Sequence, residues 1–234
     1  LKIFLAILLF PLALFSGNFL IMTEDLKPYN YQEEGKLKGF SVEAVHYILA
    51  SLHYDEQIRM YPWARAMSLL ESKDNAILFS MSHTPQRAEK YKFVCPLTQV
   101  QTVFFAKKGK ELASIQDLHG LRIGVIKDFA AHKTLEQKGF DTFDFSSSTQ
   151  TMVQKLSEDK IDTFVATPES VYGLGLDMSK ISQTNLTLYQ TQLCIAFNKN
   201  VSDKEVAAWQ NALDTLRKSE EFAAMHKKYF GYEK

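Results

Sequence analysis

Phe79-Ser-Met-Ser-His-Thr-Pro-Gln-Arg87, running on to Lys92-Phe-Val-Cys-Pro-Leu97, carries more information than any other part of this chain. An apolar strand ends in two small hydroxyl side chains, Ser80 and Ser82, and the cation Arg87 follows shortly after. A guanidinium offers paired N–H donors that match a carboxylate, so this combination suits a carboxylate clamp. In isolation the same residues also suit a surface loop with a solvated arginine. Their setting has to decide.

Upstream and downstream of this run, short apolar strands alternate with amphipathic helices, the pattern of α/β architecture with largely parallel sheets. Phe19–Thr23 reads as a strand. Ser41–Leu52 reads as a helix with apolar positions at Val42, Val45, Ile48, Leu49 and Leu52 and with Ser41 as its N-cap. Strand 56–61, helix 63–70 and strand 76–79 complete a first unit. Val100–Ala106 is strand-like, and a second unit follows: strands at 121–126, 140–145 and 161–166, and helices at 130–137, 148–156 and 168–174. A strand pair, Leu186–Leu188 and Gln192–Phe197, then leads into helices 203–217 and 220–229. No repeat or Gly/Ser-rich linker separates the units. Two units without a flexible linker are best joined by extended strands acting as hinges. The expected crossings are Thr98–Val103 and Tyr189–Leu193, with the C-terminal helices returning to the first unit.

The 234 residues suffice for one large domain or two lobes, and 27 Lys and Arg balance 27 Asp and Glu. No basic field is available to hold nucleic acid or an acidic membrane surface. Residues 1–17 read as a signal peptide, with Lys2 ahead of an apolar run from Ile3 to Leu14 and then Ser16 and Gly17. Export is the expectation. An exported protein can join its two cysteines, Cys95 and Cys194, but a chain of this length does not need such a staple, so two separate buried thiols are favoured.

No Gly-rich phosphate loop, Gly-x-Ser-x-Gly elbow or His-Glu-x-x-His is present, and the six histidines never cluster at ligand spacing. Metal sites, cofactors and catalytic residues are therefore not expected.

Three strings, in order, carry a resemblance: Leu37-Lys-Gly-Phe-Ser-Val-Glu43, the Ser80–Leu97 run, and Leu118-His-Gly-Leu-Arg-Ile-Gly-Val125. Together they resemble the periplasmic solute-binding proteins of the amino-acid cluster, bacterial solute-binding protein family 3, over nearly the whole mature chain. The resemblance implies a two-lobe periplasmic binding protein fold (type II, Venus-flytrap) with two hinge crossings. Lobe 1 would comprise residues 18–101 and 192–234, and lobe 2 residues 102–191. It further implies a carboxylate held by Arg87 with Ser80 and Ser82, capture of a small solute by lobe closure, and delivery to the permease of a membrane ABC transporter by a monomer.

Departures from the family pattern bear on the ligand. Where amino-acid binders commonly carry an acid for the ligand ammonium, Ile161-Asp-Thr-Phe-Val-Ala-Thr167 places Thr167. Where a hydroxyl-bearing turn is usual, Asp128-Phe129-Ala130 stands, leaving helix N-terminal amides as donors. Tyr61-Pro-Trp-Ala-Arg65 sets Tyr61 to stack on ligand and Arg65 to bind an anion, while Trp63 either joins them or packs into the core. Glu24, after the first strand, is a candidate acceptor for a cationic ligand group. Two other functions are compatible with the scaffold. One is a dehydratase-like enzyme using Glu24 or Glu169, and the other is a sensory module presented to a membrane receptor.

Overall fold

The computed structural model describes residues 19–231, so the stretch 1–17 read as a signal peptide lies outside the described residues. The chain order begins β1 (Leu20–Thr23), β2 (Tyr31–Glu33), β3 (Lys36–Lys38), α1 (Phe40–Ser51), β4 (Ile58–Met60), α2 (Trp63–Ser72), β5 (Ala76–Ser82) and α3 (Pro85–Ala88). It continues with β6 (Tyr91–Lys107), β7 (Ile123–Ile126), α4 (Ala130–Gln137), β8 (Phe143–Ser146), α5 (Thr149–Ser157), β9 (Thr163–Ala166) and α6 (Pro168–Tyr172). β10 (Ile181–Asn198), α7 (Asp203–Arg217) and α8 (Glu220–Phe230) complete it.

One sheet runs β4-β1-β5-β10-β6-β9-β7-β8. Its outer strands are parallel within each half, β1 with β4 and β5, and β7 with β8 and β9. The central pair, β6 and β10, is antiparallel and extends from Tyr91↔Asn198 to Lys107↔Ile181. Strands of this length reach about 55 Å, enough to serve both halves. Near one end β10 pairs with β5, and near the other β6 pairs with β9. Between those ends Tyr189, Gln190, Thr191, Gln192 and Leu193 face Thr102, Gln101, Val100, Gln99 and Thr98.

Each half is a sheet covered on both faces, as the alternation of its strands dictates. On β5, Ile77 and Phe79 join Phe40, Ile48, Trp209 and Leu213, whereas Leu78 and Met81 join Trp63, Ala66 and Leu70. On β6, Phe104 and Ala106 face Leu135 and Val125, whereas Val103 and Phe105 face Met152 and Leu156. α7 and α8 pack with α1 on the first half, where Phe222 and Phe230 flank Phe40 at 5.4 and 4.9 Å between ring centres.

Several expectations change. α1 starts at Phe40 with Gly39 as N-cap; Gly39 has φ 130°, and a Cβ there would stand 2.2 Å from the Tyr29 carbonyl oxygen. That close approach requires glycine and displaces the cap from Ser41, whose hydroxyl is buried without a partner. The expected pair 186–188 and 192–197 is one continuous strand, β10, because the polar residues between them alternate outward along an antiparallel ribbon. The β2–β3 hairpin and the single turn α3 are too short to show a period in the sequence.

The preference for two free thiols is also corrected, because Cys95 and Cys194 form a disulfide, with Cα atoms 4.8 Å apart. They lie on β6 and β10, next to the register shift between Leu193 and Ile195, and strand pairing sets them side by side. Proximity of this kind arises from topology, not from chain length or composition.

Candidate functional site

A cavity of about 70 Å³ lies between the two halves at the ends of β1, β5, β7 and β9. From the first half Glu24, Trp63, Ser80, Ser82 and Arg87 reach it; from the second, Phe129, Ala130, Met152 and Thr167. Val100, Thr102, Tyr189 and Leu193 of the connecting strands form its floor.

Arg87 is held from three directions. Thr84 caps α3, its Oγ1 accepting from the Arg87 N–H at 3.3 Å, with Pro85 pre-setting the turn. Arg87 Nη1 donates to the Ser82 carbonyl at 3.1 Å. Its guanidinium lies 5.0 Å from the centre of the Trp63 ring, a cation–π contact. Burial lowers the Arg87 pKa, and Tyr189, Glu24 and Tyr91 oppose that shift. The guanidinium remains a cation, with N–H donors beyond the one engaged by Ser82.

Glu24 follows β1 directly and is 6 % exposed. Burial drives its pKa well above the usual carboxylate range, Arg87 pulls it back and Asp25 adds to the rise. It is the one acid among the described residues lining the cavity. Its backbone carbonyl accepts from Asn30 Nδ2 at 2.6 Å, and Asn30 Oδ1 in turn accepts from the Ser80 hydroxyl.

Ser80 is therefore a structural tie between β1 and β5. It has φ 62°, in the left-handed region. Phe79 faces Ile195 while Met81 faces Cys194, so Ser80 is the extra residue of a β-bulge. Bulges bend a strand and re-aim side chains, and this one turns the end of β5 toward Arg87. Ser82 contributes its carbonyl to Arg87 and its hydroxyl to the Tyr189 side chain, which Thr102 also meets. Burial raises the Tyr189 pKa.

The second half supplies a different surface. Phe129 is the N-cap of α4 but offers no side-chain cap, and Ala130 opens the helix, so neither presents a side-chain hydrogen-bonding group. Thr167 lines the cavity as the N-cap of α6, and its Oγ1 accepts from Ser170 N at 3.2 Å.

Tyr61 and Arg65 do not line the cavity. Arg65 is exposed and rests 4.8 Å over the Tyr61 ring. Trp63, Ala66 and Leu70 form the inward stripe of α2, which places Arg65 on the opposite face. Trp63, left open between core and ligand, does both: it packs with Met22 and Leu78 and walls the cavity. Glu169 lies outside this cavity, accepting from the Tyr29 hydroxyl at 3.4 Å across the two halves. Tyr189, Thr102 and Met152 were missed by the sequence reasoning; only the apolar stripe Met152, Val153 and Leu156 on α5 hinted that its helix turns inward.

A model of the bacterial extracellular solute-binding proteins, family 3, matches residues 20–232. The arginine-binding extracellular protein ArtP of Bacillus subtilis is 24 % identical over 220 residues, covering 90 % of this chain and 84 % of that protein. The L-cystine-binding protein TcyJ of Escherichia coli K12 is 25 % identical over 217 residues, covering 87 % and 79 %. Among solved structures, a histidine kinase sensor domain with similarity to periplasmic binding proteins superposes with a TM-score of 0.83 at 20 % identity, covering 91 % of this chain and 96 % of that one. That likeness shows the two-lobe periplasmic binding protein fold.

Proposed function

The chain belongs to the bacterial extracellular solute-binding proteins, family 3, and from that premise we propose that it captures a small carboxylate-bearing solute by lobe closure and passes it to an ABC transporter permease. The observation that carries this reading is Arg87: a half-buried, pre-oriented guanidinium, fixed by Thr84, Ser82 and Trp63, with donors left for a ligand carboxylate. Such pre-organisation lowers the cost of ordering on binding. Glu24, the acid of the same cavity, meets the cationic or hydrogen-bond-donating end of the solute. The names of the curated relatives favour an amino acid or a close analogue.

Residues 18–101 and 192–234 form lobe 1 in this reading, and residues 102–191 form lobe 2, the hinge being the stretch where β6 and β10 pair with each other between the lobes. The protein binds without turnover, acts as a monomer and works in the periplasm after export. The disulfide suits that oxidising compartment.

A thermal-shift screen of amino acids, amines, di-acids and short peptides tests the proposal. A true ligand at 100 times its Kd stabilises by about 2.7 kcal/mol, and the hits are expected to carry a carboxylate. Hits confined to amines, or no hit at all, would sink it.

A further inference from the structure

One indole touches both lobes. Trp63 opens α2 on the first lobe and is 8 % exposed. One neighbour of its ring is Arg87, at 5.0 Å, and another is Phe129 of the second lobe, edge-on at 5.3 Å. Its Nε1–H donates to the carbonyl of Asp128, also on the second lobe, at 3.2 Å. Asp128 sits in the turn between β7 and α4 with φ 63°, a left-handed conformation that a non-glycine residue holds only when its surroundings impose it.

Lys133 holds the Asp128 carboxylate at 3.1 Å, and His132 of α4 holds its backbone. The His132 Nδ1 accepts from the Asp128 N–H at 3.2 Å, and its Nε2 lies 3.3 Å from Glu136 Oε1. The first contact requires an unprotonated Nδ1, and the second suits a proton on Nε2, so the two select one tautomer of the neutral ring. The imidazole is 3 % exposed and meets the Phe143 and Phe145 rings edge-on at 5.0 and 5.2 Å.

We propose that Trp63 is an interlobe latch, holding the closed form through the Asp128 carbonyl that His132 keeps in place. A bond that spans two lobes is made only when they approach, so it favours closure by its full net value. Phe129 shields it from water, which strengthens it and makes an unpaired indole N–H costly. Arg87 lies against the same indole, so the anion site and the latch share one side chain. The latch rests on the chain's own side chains and stands apart from what the ligand is.

Spin labels on K73C and K138C, exposed sites on the two lobes, with the native disulfide kept oxidised, report the lobe separation without ligand. The wild-type background is expected to show a substantial short-distance population. Trp63→Phe keeps an aromatic ring but removes the donor, and should lower the closed-to-open ratio about fivefold, the worth of one net hydrogen bond. His132→Leu should act in the same direction, His132→Asn, whose amide can stand in for Nδ1, should restore the wild-type distribution, and His132→Leu added to Trp63→Phe should open the protein no further. Fluorescence of Trp209, buried in the first lobe, and the circular dichroism spectrum verify that each variant is folded. An unchanged distribution in Trp63→Phe, additive opening in the double variant, or a wild-type background that shows only the long distance would overturn the latch.

Discussion

The two walls of the cavity are built on opposite principles. The first-lobe wall holds the charge: Arg87, Glu24 and the Ser80–Asn30 tie, with backbone strain at the Ser80 bulge. The second-lobe wall carries no charged side chain: Phe129, Ala130 and Met152 line it together with the hydroxyls of Thr149, Thr167 and Ser170, of which Thr167 accepts from its own helix. The charged side chains thus sit on one lobe, while the other presents apolar groups and neutral hydroxyls. A low-dielectric lid strengthens every charge interaction beneath it, so an uncharged second wall contributes to affinity without touching a charge. The expected sequence is docking on the first lobe, followed by closure of the second.

This contrast can be broken most forcefully at Arg87. Arg87→Ala should cost about 2–5 kcal/mol of affinity for any carboxylate ligand, read by calorimetry, because the ligand charge is left buried and unpaired. Retained affinity would mean that the first wall does not read the anion.

Glu24→Gln comes next, and its effect depends on pH. Because burial holds the folded pKa well above the ordinary carboxylate value at which the unfolded chain titrates, the native state keeps its proton where the unfolded chain has lost it. Stability is therefore unaffected by the charge below that value and falls as pH climbs through the folded pKa. Denaturation at pH 4 and pH 8 should show Glu24→Gln gaining on wild type at the higher pH. Equal gains at both values would place Glu24 in a less desolvated setting.

Thr167→Ala is the smallest test. Loss of the α6 cap should cost about 1 kcal/mol of stability and leave ligand affinity unchanged. A tenfold fall in affinity would show that the second wall does read the ligand, and the contrast between the walls would fail.

The parts of this site legible from sequence are those set by local period and by the ends of strands. Arg87, Ser82 and Glu24 follow strands whose apolar runs are unmistakable, and the inward stripe Trp63, Ala66 and Leu70 was present to be read, though Tyr61 and Arg65 drew attention instead. What escaped depends on register. Tyr189 reaches the cavity only because β10 slips against β6 between Gln183 and Thr187 and again before Tyr189. Ser80 lines the cavity and is also tied to Asn30, on a bulge that interrupts the alternation of β5. The cysteine pair is adjacent only because two strands far apart in sequence run side by side. Pairing slips and bulges are tertiary choices and leave little trace in a local pattern.

The Cys95–Cys194 bond lies beside the stretch where Thr98–Thr102 faces Tyr189–Leu193. It turns the two connecting strands into a tuning fork welded at the root: the tines can flex beyond the weld, but they cannot slide past each other at it. In the closure proposed above, that weld fixes the pivot on the first-lobe side. Reduction would let one tine creep along the other, carrying the floor residues Val100, Thr102, Tyr189 and Leu193 out of register and blurring the angle at which the lobes meet.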